Sequence, residues 1–552
     1  MNFFTNKLKK ILPWFSFYLA VFFLALNISY SYLDYDLGWH LQVGKTILEN
    51  KSVPHINTDL NIIGPIEWVD HEWLLNLGNY YIFNNFGYLA LNIIYALLLC
   101  LFVYLVQVLF YRFYLEPKLS NKKSKDISLY NRAFFIFSSL SFFAVIAMSP
   151  FIGIRFQIFG NILFVLLLLI LAQASHKTYL YLWWLSPLFI AWVNLHGSFL
   201  IGIAVMWILL FYVLVSKFFR NSFFAKYFYF ELLQNKIRIF VFVLVASFST
   251  LINPYWIKLF SFLKDYSNTL YMKKIVEWRS FYELPILYNE FLYTAIFAYA
   301  LSIIGLNIFL KNKNSGFLIY IKKINAWYFF LGIFFFLMSL KSKRHFPLFF
   351  VTSLPLLLQF IYFEFSDITK TRAFEITNKY LKILSTIIFF ILSIYYFINI
   401  NFFTDPFDNK YCAFQPCKVF SFVQALPDYQ ELNILNEYSW GGYMLWKDSN
   451  KGVFIDGRMP QLSMKGSSIL EEYLSFFDTT TNQEKLDEYD IDLIILKKEA
   501  KLKLSKLEQS FLDLNPDDYN YEEENIVTFL NTSSLWSKVY EDSISLVYLK
   551  NL

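Results

Sequence analysis

Charged residues are scarce in this sequence: 16% of its 552 residues are Asp, Glu, Lys or Arg, whereas 57% are hydrophobic. In soluble globular proteins, about a quarter of all residues are charged. The shortage excludes an ordinary soluble protein and predicts a polytopic membrane protein. Long internal repeats and a low-complexity tail are also missing. The first apolar run lacks a small-residue cleavage site, so it is not predicted to be a cleavable signal peptide.

Cysteine is scarce as well, with three residues in the whole chain. Cys100 lies in an apolar run, where a thiol packs as a small apolar side chain. Cys412 and Cys417 are close in sequence, and the pattern leaves open whether they form a short-loop disulfide. No second Cys or His pair lies near them, which excludes a zinc signature.

Long apolar runs are what the chain has instead. About eleven runs, most of them close to the ~20 residues that cross a bilayer, precede residue 401, and none follows it. The sequence predicts a membrane part over residues 1–400, with a first outer loop at 31–87, and a soluble part over 401–552. The runs end near Tyr30, Phe110, Met148, Leu171, Val193, Val215, Leu251, Leu310, Leu340, Tyr362 and Ile400.

Basic residues indicate the orientation in the membrane. Lys7, Lys9 and Lys10 precede the first apolar run, and most of the other lysines and arginines before residue 401 lie after the second, sixth, eighth and tenth runs. By the positive-inside rule, these segments face the cytoplasm. An odd number of spans then places the first loop and residues 401–552 together on the outer side.

The soluble part has the pattern of a small α/β domain. Short apolar, β-branched runs alternate there with helical or turn-rich segments, and each run predicts a strand. The four predicted strands are 432–436, 453–456, 491–496 and 544–549.

The first outer loop opens with two carboxylates, Asp34 and Asp36. Asp36 precedes a segment with apolar residues at helical spacing, which predicts an amphipathic helix on the membrane surface. Asp36 is the candidate base for proton transfer, and Asp34 is its partner, or both ligate a metal. Alternatively, one of the two only caps the helix. The helical pattern consists of Leu37, Leu41, Gly44 and Leu48, and Asn50 and Pro54 end it.

The same loop contains further candidates for substrate binding. Trp39 can stack on the apolar face of a sugar, and His40 lies beside it. His71 and Glu72 follow near the end of the loop and, with His40, either hold a divalent ion or form a structural hydrogen-bond cluster. The lack of a fixed ligand spacing such as HxxxH favours the cluster.

Cations in the later outer turns predict a phosphate site. Arg155 lies in the turn between the third and fourth runs. Lys343, Arg344 and His345 lie in the last outer turn, against the positive-inside trend. Arg binds phosphate bidentately and Lys as a point charge, so an anionic lipid phosphate is the predicted ligand. Anchoring to the head groups of bulk lipid is the alternative.

The other outer segments supply further substrate-binding candidates. Polar residues near an apolar core are costly unless they face a cavity or a partner, although they can also cap helix ends. Asp456 and Arg458 are predicted to be exposed at a strand tip, where they either brace the domain or contact the first loop. The full set is Asn194, His196, Glu277, Trp278, Trp440, Tyr443, Asp456 and Arg458.

The order of residues 34–41 (DYDLGWHL) and 68–74 (WVDHEWL) resembles the first outer loop of bacterial membrane glycosyltransferases of the GT-C fold. This class includes proteins loosely labelled protein-mannosyltransferase-like. Later segments resemble the signatures of one largely uncharacterised branch of the class, so the resemblance covers nearly the whole chain. These segments are Arg155, 192–197 (WVNLHG), 253–255 (NPY), 277–278 (EW), 344–345 (RH), 440–443 (WGGY) and 454–458 (FIDGR).

The resemblance implies a sugar donor linked to polyprenyl phosphate, an acidic base in the first loop, at Asp34 or Asp36, and an outer carboxyl-terminal domain. Some of these enzymes use a divalent metal and others do not, so Mg²⁺ or Mn²⁺ at the two aspartates stays open. Residues 440–443 are similar in placement to the Trp-Trp-Asp-Tyr-Gly acceptor motif of oligosaccharyltransferases. They have one Trp and no following Asp, which puts recognition of an Asn sequon in doubt.

Together these features predict a glycosyltransferase of the bacterial inner membrane, with a cytoplasmic amino terminus. It would transfer a sugar from the lipid carrier to an acceptor on the outer face, and nucleic acid is not an expected partner. Transfer of a whole glycan, as by an oligosaccharyltransferase, is an alternative. A lipid or solute transporter is another, but it predicts charges paired within spans and internal symmetry, which the sequence lacks.

Overall fold

The chain divides into two compact units. The first comprises Met1–Ser31, Asn92–Asn253 and Ser280–Ile400, and the second comprises Tyr32–Leu91, Pro254–Arg279 and Asn401–Leu552. The computed structural model describes residues 2–31, 33–110, 127–176, 179–216, 236–266, 278, 280, 326–364, 372–400, 402, 407, 415–458, 463–464, 467–477, 482–498 and 524–551.

Helices form most of the described structure, as the long apolar runs predict. Helix α3 is interrupted at Gly87, whose φ of 76° is a conformation that glycine adopts without a steric penalty. In chain order the helices are α1 (Asn2–Ser31), α2 (Leu37–Asn50), α3 (Trp73–Phe110), α4 (Ile127–Ala147), α5 (Gln157–His176), α6 (Leu185–Leu195), α7 (Phe199–Ser216), α8 (Lys236–Ser249), α9 (Lys258–Tyr266), α10 (Ala326–Lys341), α11 (Phe346–Glu364), α12 (Arg372–Ile398), α13 (Cys417–Gln424), α14 (Gly441–Lys447), α15 (Ile469–Ser475), α16 (Asn482–Glu488) and α17 (Glu524–Thr532).

Four helical segments within the described residues are long and apolar enough to cross a membrane. They are Ile11–Ser31, Trp73–Phe110, Gln157–Ala174 and Lys379–Ile398. Shorter apolar helices lie at Phe137–Ala147, Tyr179–Leu195, Phe199–Val215, Ile237–Ser249 and Phe329–Lys341. The run that ends near Leu310 lies outside the described residues. The count of eleven spans therefore stays a prediction, whereas the apolar helices themselves indicate a membrane protein.

Helices α1 and α12 pack along each other in the first unit. Phe17 of α1 is fully buried, and its ring centroid lies 5.4 Å from that of Phe389. The other side of α12 is apolar and exposed, as expected of a helix that borders lipid rather than water. Its exposed apolar residues include Ile383, Leu384, Ile387, Ile391 and Ile394.

A four-stranded sheet forms the centre of the carboxyl-terminal part of the second unit. Its strands lie in the order β3 (Ile434–Leu435), β6 (Leu493–Lys497), β8 (Ser545–Lys550) and β7 (Trp536–Glu541). Strands β3 and β6 are parallel, and the other neighbours are antiparallel. The apolar residues of β6 are almost fully buried, as expected of a strand that is covered on both faces. The strands are β1 (Ile56–Asn57), β2 (Ile66–Glu67), β3 (Ile434–Leu435), β4 (Ser463–Met464), β5 (Ser467–Ser468), β6 (Leu493–Lys497), β7 (Trp536–Glu541) and β8 (Ser545–Lys550).

The strand predictions at 491–496 and 544–549 are confirmed, and the prediction at 432–436 is confirmed over two residues. The strand predicted at 453–456 is wrong. Val453 forms a single parallel bridge to Leu60 of the first loop, and the chain then turns. An apolar run can be buried without a strand partner, which periodicity alone does not reveal.

Cys417 begins α13 and is in a disulfide, whereas Cys100 is a free thiol. Cys412, for which the sequence left a disulfide with Cys417 open, lies outside the described residues. The soluble and membrane parts predicted at 401–552 and 1–400 stay predictions. The compact units follow a different division, because the first loop shares a unit with the carboxyl-terminal residues.

Candidate functional site

The candidate site begins at the start of α2, where the predicted helix is confirmed. Asp36 precedes the helix, and its carbonyl accepts the His40 N–H at 3.1 Å, yet its side chain makes no capping hydrogen bond. The Oδ1 atom of Asp34 instead accepts the Asp36 N–H at 3.0 Å. Both side chains are half-buried. Asp34 therefore orders the turn, and the carboxylate of Asp36 does not serve as a helix cap.

Glycines allow α2 to approach the carboxyl-terminal part of the same unit. A Cβ at Gly38 would overlap the carbonyl oxygen of Gly442, and a Cβ at Gly442 would lie 2.6 Å from the carbonyl oxygen of Tyr35. A Cβ at Gly457 would overlap the carboxylate of Asp36. These positions need glycine because another backbone or side chain occupies the space of the missing atom.

Arg458 joins the first loop to the carboxyl-terminal residues. Its Nη1 donates to Oδ2 of Asp59 at 2.8 Å, and its Nη2 donates to Oδ2 of Asp456 at 2.6 Å. The centre of the guanidinium lies 5.5 Å from the ring centroid of Trp39 and 5.2 Å from that of Trp68. Both distances are within the range of cation–π attraction. Three first-loop side chains thus surround one cation.

Asp456 and Arg458 are buried, with exposures of 0% and 2%, so the prediction that they are exposed at a strand tip is wrong. A buried charge is tolerated where an opposite charge and hydrogen bonds compensate it, as both do here. Burial alone would lower the pKa of Arg458, but Asp456 and Asp59 hold it above its usual value. The sequence left two roles open for this pair, bracing of its own domain and contact with the first loop. Arg458 does both, since it bonds Asp456 in its own segment and Asp59 in the first loop.

Asn436 fixes the backbone that leads to this pair. Its Oδ1 accepts the Phe454 N–H at 2.8 Å, and its Nδ2 donates to the carbonyl of Ile455 at 2.8 Å. Trp440 and Tyr443, predicted to bind substrate, are buried at 0% and 4% exposure. In this arrangement they contribute to the core, and their role in binding stays a prediction.

A hydrogen-bonded chain of three side chains lies inside the first loop. Nδ1 of His40 lies 2.6 Å from Oδ1 of Asn76, and Nδ2 of Asn76 donates to Oδ2 of Asp70 at 2.9 Å. Oδ1 of Asp70 accepts the Glu72 N–H at 3.1 Å. His40, Asn76 and Asp70 are all buried. The sequence favoured a hydrogen-bond cluster of His40, His71 and Glu72. Of these three residues, only His40 contributes its side chain to the observed chain, and Glu72 contributes its backbone N–H.

Burial shifts the pKa values of His40 and Asp70, the two titratable groups of this cluster, in opposite directions. It lowers the pKa of His40 to about 3, aided by the charges of His71 and Arg458. It raises the pKa of Asp70 to about 6, against the hydrogen bonds from Asn76 and Glu72. Both shifts disfavour the charged form, which is the usual effect of removing an ionisable group from water. His40 is therefore neutral at pH 7.

Tyr255 ties the segment after residue 253 to the first loop. Its O–H donates to the carbonyl of Pro54 at 2.6 Å, and its ring lies 4.9 Å from that of His55. Burial raises the pKa of Tyr255, and the nearby charge of Asp70 adds to the effect. His71 lies 3.8 Å from the carboxylate of the adjacent Glu72 and is partly accessible.

The predicted phosphate ligands lie on two turns of the first unit. Arg155 precedes α5, and Lys343–His345 forms a short 3-10 helix before α11. Gly153 and Pro347, each two residues from one of these groups, line the same small cavity. Its polar lining comes from Ser29, Tyr95 and Asn161. The two turns therefore meet at one cavity of this unit.

The four predicted phosphate ligands, Arg155, Lys343, Arg344 and His345, differ in accessibility and charge. Lys343 is buried at 5% exposure, whereas Arg155 and Arg344 are half-buried. Burial lowers the pKa of His345 to about 4, and the charges of Arg344 and Lys341 add to this. At pH 7, His345 is therefore neutral and suited to hydrogen bonding rather than to charge pairing.

Asn194 and His196 hold the end of α6. Nδ2 of Asn194 donates to the carbonyls of Ile190 and Ile252, each at 2.8 Å. Nδ1 of His196 lies 2.8 Å from the Ser198 hydroxyl. These contacts are those of helix-end capping, the alternative to substrate binding. Among the remaining candidates, Trp278 is half-buried and Glu277 lies outside the described residues.

Asp34 and Asp36 are the candidate metal ligands. Mg²⁺ is commonly held by one or two carboxylates completed by substrate phosphate and water, and two carboxylates meet that minimum. Within the described part of the chain, no three His, Cys, Asp or Glu residues come close enough to form a metal site. The two carboxylates alone do not complete a metal site, and Mg²⁺ or Mn²⁺ at Asp34 and Asp36 stays a prediction.

Comparison with known proteins gives a structural likeness without a sequence match. No family model and no curated protein matches the chain. The crystal structure of an apo oligosaccharyltransferase from Archaeoglobus fulgidus matches with a TM-score of 0.50 and 11% identity, covering 87% of this chain and 69% of that chain. The fold is therefore similar to that of an oligosaccharyltransferase, which confirms the GT-C-like part of the fold prediction.

A second solved structure is the archaeal oligosaccharyltransferase AglB from the same organism, in complex with an inhibitory peptide and a dolichol-phosphate. It matches with a TM-score of 0.44 and 11% identity, covering 88% of this chain and 69% of that chain.

Several residues of the site were not among the sequence candidates. Asp59, Trp68, Asp70, Asn76 and Gly457 make contacts that hold the loop. Most of them lie in or beside segments that carry the family resemblance. Some of these roles were hidden because the partner is far away in sequence; Asp59 and Arg458, for instance, are 399 residues apart, whereas Asp70 and Asn76 are only six apart.

Proposed function

We infer that this chain is a membrane glycosyltransferase that transfers glycan from a lipid-phosphate-linked donor to an acceptor on the outer side of the membrane. The observation that carries this is a fold similar to an oligosaccharyltransferase over 87% of the chain. The apolar helices agree with it, since a lipid-linked donor is reached from within a bilayer.

Asp36 is the proposed base. The acceptor's nucleophilic atom bonds to the anomeric carbon, the bond from this carbon to the phosphate oxygen breaks, and the lipid phosphate leaves with the electron pair. Asp36 takes the acceptor's proton. Its place before α2 and against Gly457 supports this role, because a base must be fixed to act within hydrogen-bond reach.

Arg155 and Arg344 are the proposed ligands of the leaving phosphate. The turns that carry them meet at one cavity, and both side chains are half-buried. Cations placed where negative charge develops stabilise the transition state. Mg²⁺ or Mn²⁺, if bound by Asp34 and Asp36, would supply positive charge at those two carboxylates.

Transfer of a whole glycan is the second candidate, and the oligosaccharyltransferase fold favours it specifically. The two candidates differ in their donors. A monosaccharide transferase consumes a polyprenyl-phosphate sugar, whereas a whole-glycan transferase consumes a polyprenyl carrier with an oligosaccharide. Supplying each labelled carrier separately distinguishes them.

The test uses purified protein in vesicles, mixed with membranes of the source cell as acceptor. We expect label to move from the lipid-extractable fraction to the residual fraction with one of the two carriers. Glu67→Gln is a control because Glu67 is exposed, with a single contact of 3.7 Å to Lys258. If wild type transfers no more label than vesicles without protein with either carrier, the proposed function is wrong.

The outer location of the first loop is also part of the proposed function. A cysteine introduced in place of Glu67 should react with a membrane-impermeant maleimide added to intact cells whose outer barrier has been permeabilised. Labelling that requires rupture of the inner membrane would place the loop in the cytoplasm and contradict this orientation.

A further inference from the structure

We propose that Arg458 is a positioning residue, which holds the first loop and thereby the carboxylate of Asp36 in place; this role rests on the proposed function. The sequence suggested substrate binding for Arg458 instead. The contacts of its guanidinium decide between the two roles.

The hydrogen bonds of Arg458 are divided between two segments. Nε and Nη2 donate to Asp456, in its own turn, at distances of 2.6 to 3.2 Å. Nη1 donates to Asp59 of the first loop at 2.8 Å. Charge-assisted bonds of this kind are short and directional. The guanidinium therefore fixes the loop relative to residues 456–458.

The aromatic contacts of Arg458 extend to both ends of the loop. Trp39 lies in the first turn of α2, three residues after Asp36, which directly precedes the helix. Trp68 lies directly after β2, where the loop returns. Both tryptophans are buried, with exposures of 6% and 5%. A single cation thus contacts the outgoing and the returning part of the loop.

The backbone beside Arg458 supports the base directly. A Cβ at Gly457 would overlap the Asp36 carboxylate and would lie 2.9 Å from Nε1 of Trp39. Movement of Arg458 would shift Gly457, the residue against which the base rests. Arg458 therefore acts on Asp36 through both its side-chain contacts and its neighbouring backbone.

The same contacts leave Arg458 little surface for a substrate. Its side chain is 1% exposed, and two carboxylates and two indole rings cover it. Substrate binding would require the loop to open and a buried cation to lose a partner, which is costly.

Steady-state kinetics of Arg458→Lys and Asp59→Asn test the proposal. Lys cannot form the divided set of bonds, and the amide introduced by Asp59→Asn carries no charge, so the loop should loosen in both. We expect kcat to fall on the order of 10-fold to 100-fold, since small misplacement of a base has effects of this size. The KM for the lipid-linked donor should stay within about twofold of wild type. Asp487→Asn, which removes an exposed pair with Lys550, is the matched control.

Hydrogen exchange supplies a readout independent of activity. Peptides over 33–50 should exchange faster in both variants, while peptides over β6 and β8 keep their protection. If the Arg458→Lys variant does not fold, Asp59→Asn tests the proposal by itself, because this change leaves the bonds between Arg458 and Asp456 intact.

A raised KM with unchanged exchange would assign Arg458 to substrate binding and overturn the proposal. Unchanged kcat and exchange would overturn it as well. If Asp36→Asn keeps full activity, the assignment of Asp36 as the base fails instead, while exchange in the first loop still reports whether Arg458 holds it.

Discussion

Two acidic residues of the first loop, Asp36 and Asp70, have opposite surroundings. Asp36 is half-buried at the start of a helix, and its side chain makes no cap. Asp70 is 1% exposed, bonded to Asn76, and has a pKa raised to about 6. A base must reach its substrate, whereas a buried carboxyl mainly organises its neighbours. On the proposed function, the contrast favours Asp36 as the base and Asp70 as a supporting residue.

The largest expected effect separates these two carboxyls. Asp36→Asn should abolish transfer, because Asn cannot accept the proton. Asp70→Asn should keep a measurable fraction of activity, since its amide oxygen can still accept from Asn76. Transfer of label by both variants checks this. Equal loss in the two would place the chemistry at both residues, and full activity of Asp36→Asn would remove it from the role.

A change at a glycine contact should come next in size. Gly38→Ala places a methyl group against the carbonyl of Gly442, and overpacking of this kind costs about 1–3 kcal/mol. Gly78→Ala is the matched control, because it lies in α3 with no atom within 4 Å of the new Cβ. Gly78→Ala should leave the free energy of unfolding unchanged or raise it by up to about 1 kcal/mol. Thermal unfolding in detergent measures both, and equal midpoints would contradict the close contact.

Two substitutions of Asp34 test whether this residue supports the turn or binds a metal. Asp34→Asn keeps an oxygen that can accept the Asp36 N–H, so most activity should remain. Asp34→Ala removes this acceptor and should lose more, at a cost of about 1 kcal/mol for the hydrogen bond. Initial rates with and without a chelator give the comparison. Loss of activity in Asp34→Asn as great as in Asp34→Ala, with inhibition by the chelator, would indicate a metal ligand.

The smallest effect is a pH dependence of stability. His40 has a pKa of 6.5 when unfolded and about 3 when folded, so the unfolded chain binds more protons, and stability falls as pH drops below 6.5. Asp70 acts oppositely: its pKa rises from 3.8 to about 6, so its contribution is present below 3.8 and lost as pH rises through 6.

These two groups can be separated by substitution. Between pH 7 and pH 5, His40→Gln should lose less stability than wild type, and Asp70→Asn should lose more, each by on the order of 1 kcal/mol. The difference between unfolding midpoints at the two pH values measures this. Identical differences in all three proteins would show that neither group titrates in this window.

Parts of the fold follow from local sequence. The helix from Leu37 and the buried strand at 493–497 were predicted from periodicity and apolar runs, which depend on near neighbours alone. The segment at 453–456 was mistaken for a strand because its burial comes from other segments of the chain and not from a strand partner: Val453 bridges Leu60, and Phe454 packs on Phe476. Asp456 and Arg458 were assigned to the surface for the same reason, as charged residues are usually exposed when their partners are unknown.

The sequence by itself determined the abundance of apolar helices, the acidic start of the first loop and the shortage of metal-binding motifs, because composition and spacing express these directly. Only the tertiary structure decided that Asp59 and Arg458, 399 residues apart, form one ion pair beside Asp36. It also decided which carboxyl is buried. Both depend on which distant segments exclude water from each other, and no local pattern encodes that.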